Sequence, residues 1–136
     1  MKTVITYGTF DLLHYGHMNL LKRASAFGDR LIVGVSTDEF ALEKGKKTCY
    51  DLKKRMEMVA DLRYVDLVIP EYSMAQKLTD CVKYKVDYFI LGSDYCETFK
   101  NMPEYQKLIK MCKVIFLERT PNISTTMLKD KLKNNK

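Results

Sequence analysis

Five short runs rich in β-branched and aromatic residues, at 4–7, 31–36, 67–70, 88–91 and 114–117, are separated by stretches with helical periodicity. A strand that returns parallel to the one before it needs a crossover, and a crossover on a twisted sheet is right-handed. Alternation of this kind therefore predicts βαβ units: an α/β fold, one doubly wound domain with a five-stranded parallel sheet and helices on both faces. Ligands of such sheets lie beyond the carboxyl ends of the strands, so the loops that follow strands are the places to search. The helix predicted over 51–62 sets Leu52, Met56 and Val59 on one face. Ser73 and Gln76 have the spacing of a capping box, which would open a helix with Ala75, Leu78 and Val82 toward the sheet. Tyr105, Leu108, Ile109 and Cys112 make a similar stripe.

The chain has 136 residues, enough for one core, and the reading divides it into a domain over 1–126 and a basic helical tail over 127–136. Hydrophobic residues at 46% and charged residues at 29% exclude a disordered chain. No run approaches the roughly 18 apolar residues of a membrane span, and Asp11 interrupts the first apolar run, so a soluble, cytoplasmic protein without a membrane span is expected. The net charge of +6 suits a polyanionic partner: nucleic acid, a membrane surface or a phosphorylated small molecule. Half of it lies in the tail, where Lys129, Lys131, Lys133 and Lys136 stand against Asp130 for a net of +3. A body without a basic stripe or stacking aromatics argues against nucleic acid and for small phosphates. Cys49, Cys81, Cys96 and Cys112 are too widely spaced for a zinc framework and read as thiols, with Cys81 and Cys112 packed as small hydrophobes.

The common phosphate loops are missing. Glycines at 8, 16, 28, 34, 45 and 92 allow no G-x-G-x-x-G, and Gly45-Lys46 has Phe40 where a P-loop needs its first glycine. The turn after the first strand is Gly8-Thr9-Phe10-Asp11-Leu12-Leu13-His14-Tyr15-Gly16-His17, and it carries both histidines of the chain. At i and i+3 on a first helical turn they project to one side, near unpaired N–H groups and the positive end of the helix dipole, which suits an anion. The alternatives are a metal pair or helix-capping histidines. After the last strand come Arg119-Thr120-Pro121-Asn122-Ile123-Ser124-Thr125-Thr126. Ser124 there is a simple N-cap or part of a phosphate cradle with Arg119. Lys44-Gly45-Lys46-Lys47 is a solvated charge run or a mobile clamp for polyphosphate.

On these residues the chain resembles a known family. His14-Tyr15-Gly16-His17 matches the His-x-Gly-His signature of the nucleotidylyltransferases, and Arg119-Thr120 with Ile123-Ser124-Thr125-Thr126 matches the second signature of their cytidylyltransferase branch. Ser36-Thr37-Asp38-Glu39-Phe40, Arg55, Arg63-Tyr64-Val65-Asp66 and Ile69-Pro70-Glu71 are similar to the glycerol-3-phosphate cytidylyltransferases in particular. The resemblance implies a Rossmann-like domain that joins CTP and glycerol 3-phosphate into CDP-glycerol and pyrophosphate, with Mg²⁺ held mainly by the CTP phosphates and no protein metal ligands. It implies that Thr9, Phe10, His14, Tyr15, Gly16, His17, Lys46, Asp94 and Arg119 to Thr126 (Thr120, Pro121, Asn122, Ile123, Ser124 and Thr125 between them) contact CTP. His14, His17, Lys46 and Arg119 would be the catalytic residues, and Lys44 and Lys77 would hold the acceptor. A homodimer with the 63–66 region near the subunit contact is implied too, as is a product that feeds teichoic acid or capsule polymers. The chain departs from the family in Tyr95 for a usual Trp, in Pro121-Asn122 for a usual Glu-Gly, and in a longer 97–110 segment.

An acceptor phosphate monoester is largely dianionic at neutral pH, so in-line attack on the α-phosphate of CTP needs no general base. That agrees with the lack of paired carboxylates or a Ser/His/Asp set in the candidate loops. Other acceptors such as ethanolamine phosphate or another polyol phosphate, an adenylyl donor, and a non-catalytic phosphate- or RNA-binding module are the competing readings.

Overall fold

A computed structural model of the chain describes residues 1–118. The order is β1 (Thr3–Gly8), α1 (Tyr15–Ser25), β2 (Arg30–Ser36), α2 (Asp38–Glu43), α3 (Leu52–Ala60), β3 (Leu67–Glu71), α4 (Gln76–Lys83), β4 (Tyr88–Gly92), a 3₁₀ turn (Ser93–Tyr95), α5 (Cys96–Lys100), α6 (Pro103–Met111) and β5 (Lys113–Leu117). All four strand pairings are parallel, in the order β3-β2-β1-β4-β5. The expected α/β fold is thus observed, and all five predicted strands form. The strand order reverses at β1, whose neighbours are β2 and β4, and a crevice opens there beyond the carboxyl ends of the strands.

Neighbouring strand residues face opposite sides, and here both sides are covered, so the middles of the strands are mostly apolar while polar residues such as Ser36 and Glu71 stand at their ends. Val4, Leu31, Val33 and Ile90 belong to one core cluster, with Leu21, Ala24 and Val59 from α1 and α3. Ile5, Ile32 and Phe89 belong to the other, with Cys81 and Leu108 from α4 and α6. Each fully buried aliphatic or aromatic side chain contributes about 1.5–3 kcal/mol. Cys81 is buried and Cys112 packs against its cluster, as small hydrophobes do, and all four cysteines are thiols.

Two helix faces differ from the sequence reading. Val82 is 67% exposed and Ile109 44% exposed. The buried face of α4 is instead Lys77, Asp80 and Cys81, because both charged groups find partners inside. The expected capping box is also displaced. Gln76 N–H donates to Ser73 Oγ at 3.3 Å, while Gln76 Oε1 accepts from Tyr72 N–H at 2.7 Å rather than from Ser73. Helix α3 begins at an Asp51 cap, which accepts from Lys54 N–H at 3.0 Å, and its Leu52, Met56 and Val59 pack on the core as expected. No helix among the described residues is long and apolar enough to cross a membrane. The tail at 127–136 and the boundary drawn at 126 lie outside the described residues.

Candidate active site

The turn from β1 into α1 is held under strain. Phe10 and Leu12 have φ of 51° and 48°, a left-handed conformation that ordinary side chains adopt at a cost of about 1–3 kcal/mol. Gly8 makes the turn possible, since a Cβ there would sit 2.8 Å from the Phe10 ring. The folded turn brings Phe10 edge-on to His17, with ring centroids 5.5 Å apart. Asp11, 3% exposed, accepts from the N–H groups of Cys49 at 2.7 Å and Tyr50 at 3.1 Å. It fastens the turn to the loop that carries the lysines.

His14 is the N-cap of α1, and the two histidines cap each other's backbone. His14 Nδ1 accepts from Gly16 N–H at 3.0 Å, and His17 Nδ1 accepts from His14 N–H at 3.3 Å. An acceptor nitrogen carries no proton, so each neutral ring bears its hydrogen on Nε2. The rings stack at 3.9 Å, which keeps both Nε2–H groups to one side as the spacing predicted. Burial first, then the neighbouring His14 and Lys46, lower the pKa of His17 to about 3, against a smaller opposing pull from Asp11. Burial lowers His14 as well. The pair is neutral near pH 7 and acts as hydrogen-bond donor, not as a cation. Tyr15, 64% exposed, stands on the outer side of this turn.

Arg55 ties the carboxyl ends of the strands together. It is fully buried at 0% exposure. Its guanidinium donates to the carbonyls of Thr9 (2.8 Å), Ser36 (2.7 Å) and Tyr50 (3.0 Å) and to Asp38 Oδ1 (2.6 Å). One side chain therefore fixes the ends of β1 and β2, the start of α2 and the loop before α3.

Beside this frame lies a cavity of about 80 Å³ whose lining includes Thr9, Lys44, Lys46, Glu71, Lys77 and Tyr95. Thr9 Oγ1 is buried and hydrogen-bonds to no other protein atom, so a donor or acceptor aimed into the turn has no rival within the protein. Lys44 Nζ donates to Ser36 Oγ at 2.8 Å, and Lys77 is paired with the fully buried Glu71. Burial lowers Lys44 to about 8, with Glu71 the main opposing influence. Lys46 Nζ donates to Tyr95 Oη at 2.8 Å across the mouth of the cavity. The lysine run is thus only partly a solvated face: Lys44 and Lys46 reach the cavity, and Lys47 is exposed. Asp94 is exposed on the 3₁₀ turn after β4, next to Tyr95. Arg119, Thr120, Pro121, Asn122, Ile123, Ser124, Thr125 and Thr126 lie outside the described residues. β5 leads toward them, and Glu118 C=O accepts from Arg23 Nη1 at 2.8 Å.

Known proteins resemble this chain in sequence and in fold. The sequence pattern of the cytidylyltransferase-like family matches residues 5–131. Glycerol-3-phosphate cytidylyltransferase of Staphylococcus aureus is 52% identical over 97% of this chain and 96% of its own length. That of Bacillus spizizenii is 49% identical over 95% of each. The chain belongs to the cytidylyltransferase-like family, among the glycerol-3-phosphate cytidylyltransferases. A lipopolysaccharide core biosynthesis protein of Thermoplasma volcanium has the same fold, at a TM-score of 0.75 and 27% identity, over 88% of this chain and 98% of its own. Asp11, Ser36, Arg55 and Glu71, to which sequence reasoning gave no role, hold the site loops and lysines through these contacts. Arg55 and Glu71 stood inside matching segments, but a buried charge shows its purpose only through its partners.

Proposed function

We propose that this chain is a glycerol-3-phosphate cytidylyltransferase: the phosphate oxygen of glycerol 3-phosphate attacks the α-phosphorus of CTP, the bond to the bridging oxygen breaks, and pyrophosphate leaves. The observation that carries the chemistry is the reciprocal cap of His14 and His17, which puts the hydrogen of each ring on Nε2. Two neutral donors on one side of a helix N-terminus suit the charge that builds on a five-coordinate phosphorus. Because both pKa values are lowered, both rings are neutral near pH 7 and carry no imidazolium proton to give to the dianionic acceptor. Thr9, Phe10, Tyr15 and Gly16 shape the CTP side of the turn, and Asp94 stands toward the cytidine. Lys46, Arg119 and the segment from Ser124 to Thr126 take the β- and γ-phosphates, and Thr120 to Ile123 contact CTP. Lys44 and Lys77 receive the acceptor phosphate, since both ammonium groups line one cavity beside Thr9. Bringing two anions together is most of the task, so fixed cations and N–H groups suffice.

Mg²⁺ supplies charge neutralisation of the leaving pyrophosphate. The described residues hold no cluster of three carboxylate, His or Cys groups, and both histidine Nδ1 atoms already accept backbone N–H groups. Mg²⁺ would be held mainly by the oxygens of the CTP phosphates. The enzyme acts in the cytoplasm as a homodimer. Arg63, exposed and over the Tyr64 ring with 5.1 Å to the centroid, belongs to the 63–66 region read as lying near the subunit contact, and mass in solution checks the dimer. The test of specificity is a panel of CTP and ATP against glycerol 3-phosphate, ethanolamine phosphate and other polyol phosphates, read by pyrophosphate release. CTP with glycerol 3-phosphate is expected to give the highest kcat/KM, and another preferred pair would overturn the assignment.

A further inference from the structure

Glu71 poses a problem for an anion site. It is 0% exposed, and it lines the same cavity as the lysines that take a phosphate. A carboxylate there repels the acceptor, and a buried ion pair is a poor source of net stability, so neither binding nor folding accounts for it. Its contacts do. One carboxylate oxygen pairs with Lys77 Nζ, and the other accepts from Ser36 Oγ at 3.3 Å. Ser36 Oγ in turn accepts from Lys44 Nζ at 2.8 Å, so its single proton points away from that lysine, to Glu71 or to Gly8 C=O at 3.4 Å. The sheet builds this chain of contacts, because Ser36 and Glu71 are opposite each other at the last register position of β2 and β3. The two ammonium groups flank the Phe40 ring, at 4.7 Å for Lys44 and 5.9 Å for Lys77.

We propose that Glu71 is a positioning residue for the acceptor phosphate: it holds Lys77 directly and Lys44 through the Ser36 hydroxyl, fixing the spacing and the charge of the pair. The inference rests on the acceptor-site reading above. Without this carboxylate, the buried Lys77 ammonium and the Lys44 ammonium that lines the same cavity would have no carboxylate between them, and the repulsion would favour loss of a proton. The charged groups facing Lys44 are Glu71 from β3, Lys77 from α4, Arg55 from α3 and Lys46 from its own loop, so Glu71 is the only one of these that favours its protonated form. Tyr7 of β1 closes the far side. Its ring lies 4.6 Å from Lys77 Nζ, and its hydroxyl donates to Asp80 Oδ2 at 2.7 Å. Burial and that acidic partner hold the phenol far above its ordinary pKa, so it adds no charge. The site keeps a net positive charge while each lysine is held in place.

The test uses the whole enzyme with Mg²⁺, both substrates varied, across the pH range around the Lys44 titration near 8. Glu71→Gln keeps the shape and removes the charge. It is expected to raise KM for glycerol 3-phosphate about tenfold while KM for CTP moves less than about twofold, and to shift the alkaline limb of kcat/KM down by about one pH unit. Ser36→Ala cuts only the link to Lys44. It is expected to shift the same limb with a smaller rise in KM, and it carries the test if Glu71→Gln does not fold. ¹⁵N NMR of the lysine Nζ groups reads the Lys44 titration directly, without reference to any acceptor. An unmoved titration together with an unchanged acceptor KM in both variants overturns the proposal. Lys44→Ala and Lys77→Ala separate the two claims. If they leave the acceptor KM unchanged while Glu71→Gln still moves the Lys44 titration, the acceptor reading fails and the positioning by Glu71 stands.

Discussion

At the scale of single residues, the chemistry depends on which nitrogen carries a proton. In His17, Nδ1 is committed to the N–H of His14, so Nε2–H is the donor. His17→Ala removes that donor and is expected to lower kcat by about 10²–10³, as loss of one preorganised donor does, with a smaller change in KM. Steady-state kinetics check it, and a variant that keeps most of its kcat contradicts the role. The same commitment couples His17 to stability. Its pKa is about 3 in the folded chain against 6.5 when unfolded, so between those values the unfolded chain binds a proton that the folded chain refuses. His17 leaves stability unaffected above 6.5 and lowers it as pH falls below. Thermal melting should show Tm falling through the low sixes in the wild type and a shallower fall in His17→Gln, read above about pH 5, before carboxylates titrate.

At the scale of elements, Arg55 of α3 decides whether the strand ends and the site loops keep their places. Arg55→Met leaves three carbonyls without their donor and Asp38 without its partner, so a loss of about 3 kcal/mol is expected. Arg55→Lys should recover only part of it, because an ammonium cannot fork toward partners on three elements. Denaturant titration of both variants checks the order. The strands were legible because both faces of the sheet are buried and the runs are mostly apolar and β-branched, and Leu52, Met56 and Val59 were legible because α3 has one dry face. The α4 face was not. Periodicity counts Val82 as apolar and Lys77 and Asp80 as polar, yet Lys77 meets Glu71 six positions away and Asp80 meets Tyr7 73 positions away. Those pairings are tertiary, and they invert the hydrophobic pattern. The placement of both histidines on one side of a helix start was legible from spacing alone, and of the alternatives that spacing left open the caps are the one the hydrogen bonds show. The histidine tautomers were not, since they depend on hydrogen bonds that only the folded turn makes.

At the scale of the molecule, the order β3-β2-β1-β4-β5 makes the ends of β1 and β4 neighbours. The histidine turn follows β1 and the 3₁₀ turn with Asp94 and Tyr95 follows β4, while the lysine loop follows α2 and meets them through the Lys46–Tyr95 hydrogen bond, although all three lie far apart in sequence. One domain is then sufficient for a transfer that needs two anions aligned and charge neutralised, with no general base. The basic residues of the body have a corresponding place: Lys44, Lys46 and Lys77 line one cavity with Glu71, which is where the proposals above put the phosphates. The most direct measurement is product identification by ³¹P NMR after incubation with CTP, glycerol 3-phosphate and Mg²⁺. The account predicts CDP-glycerol and pyrophosphate in equal amounts, and both slowed together in His17→Ala. CTP left intact, or pyrophosphate released without CDP-glycerol, would contradict it.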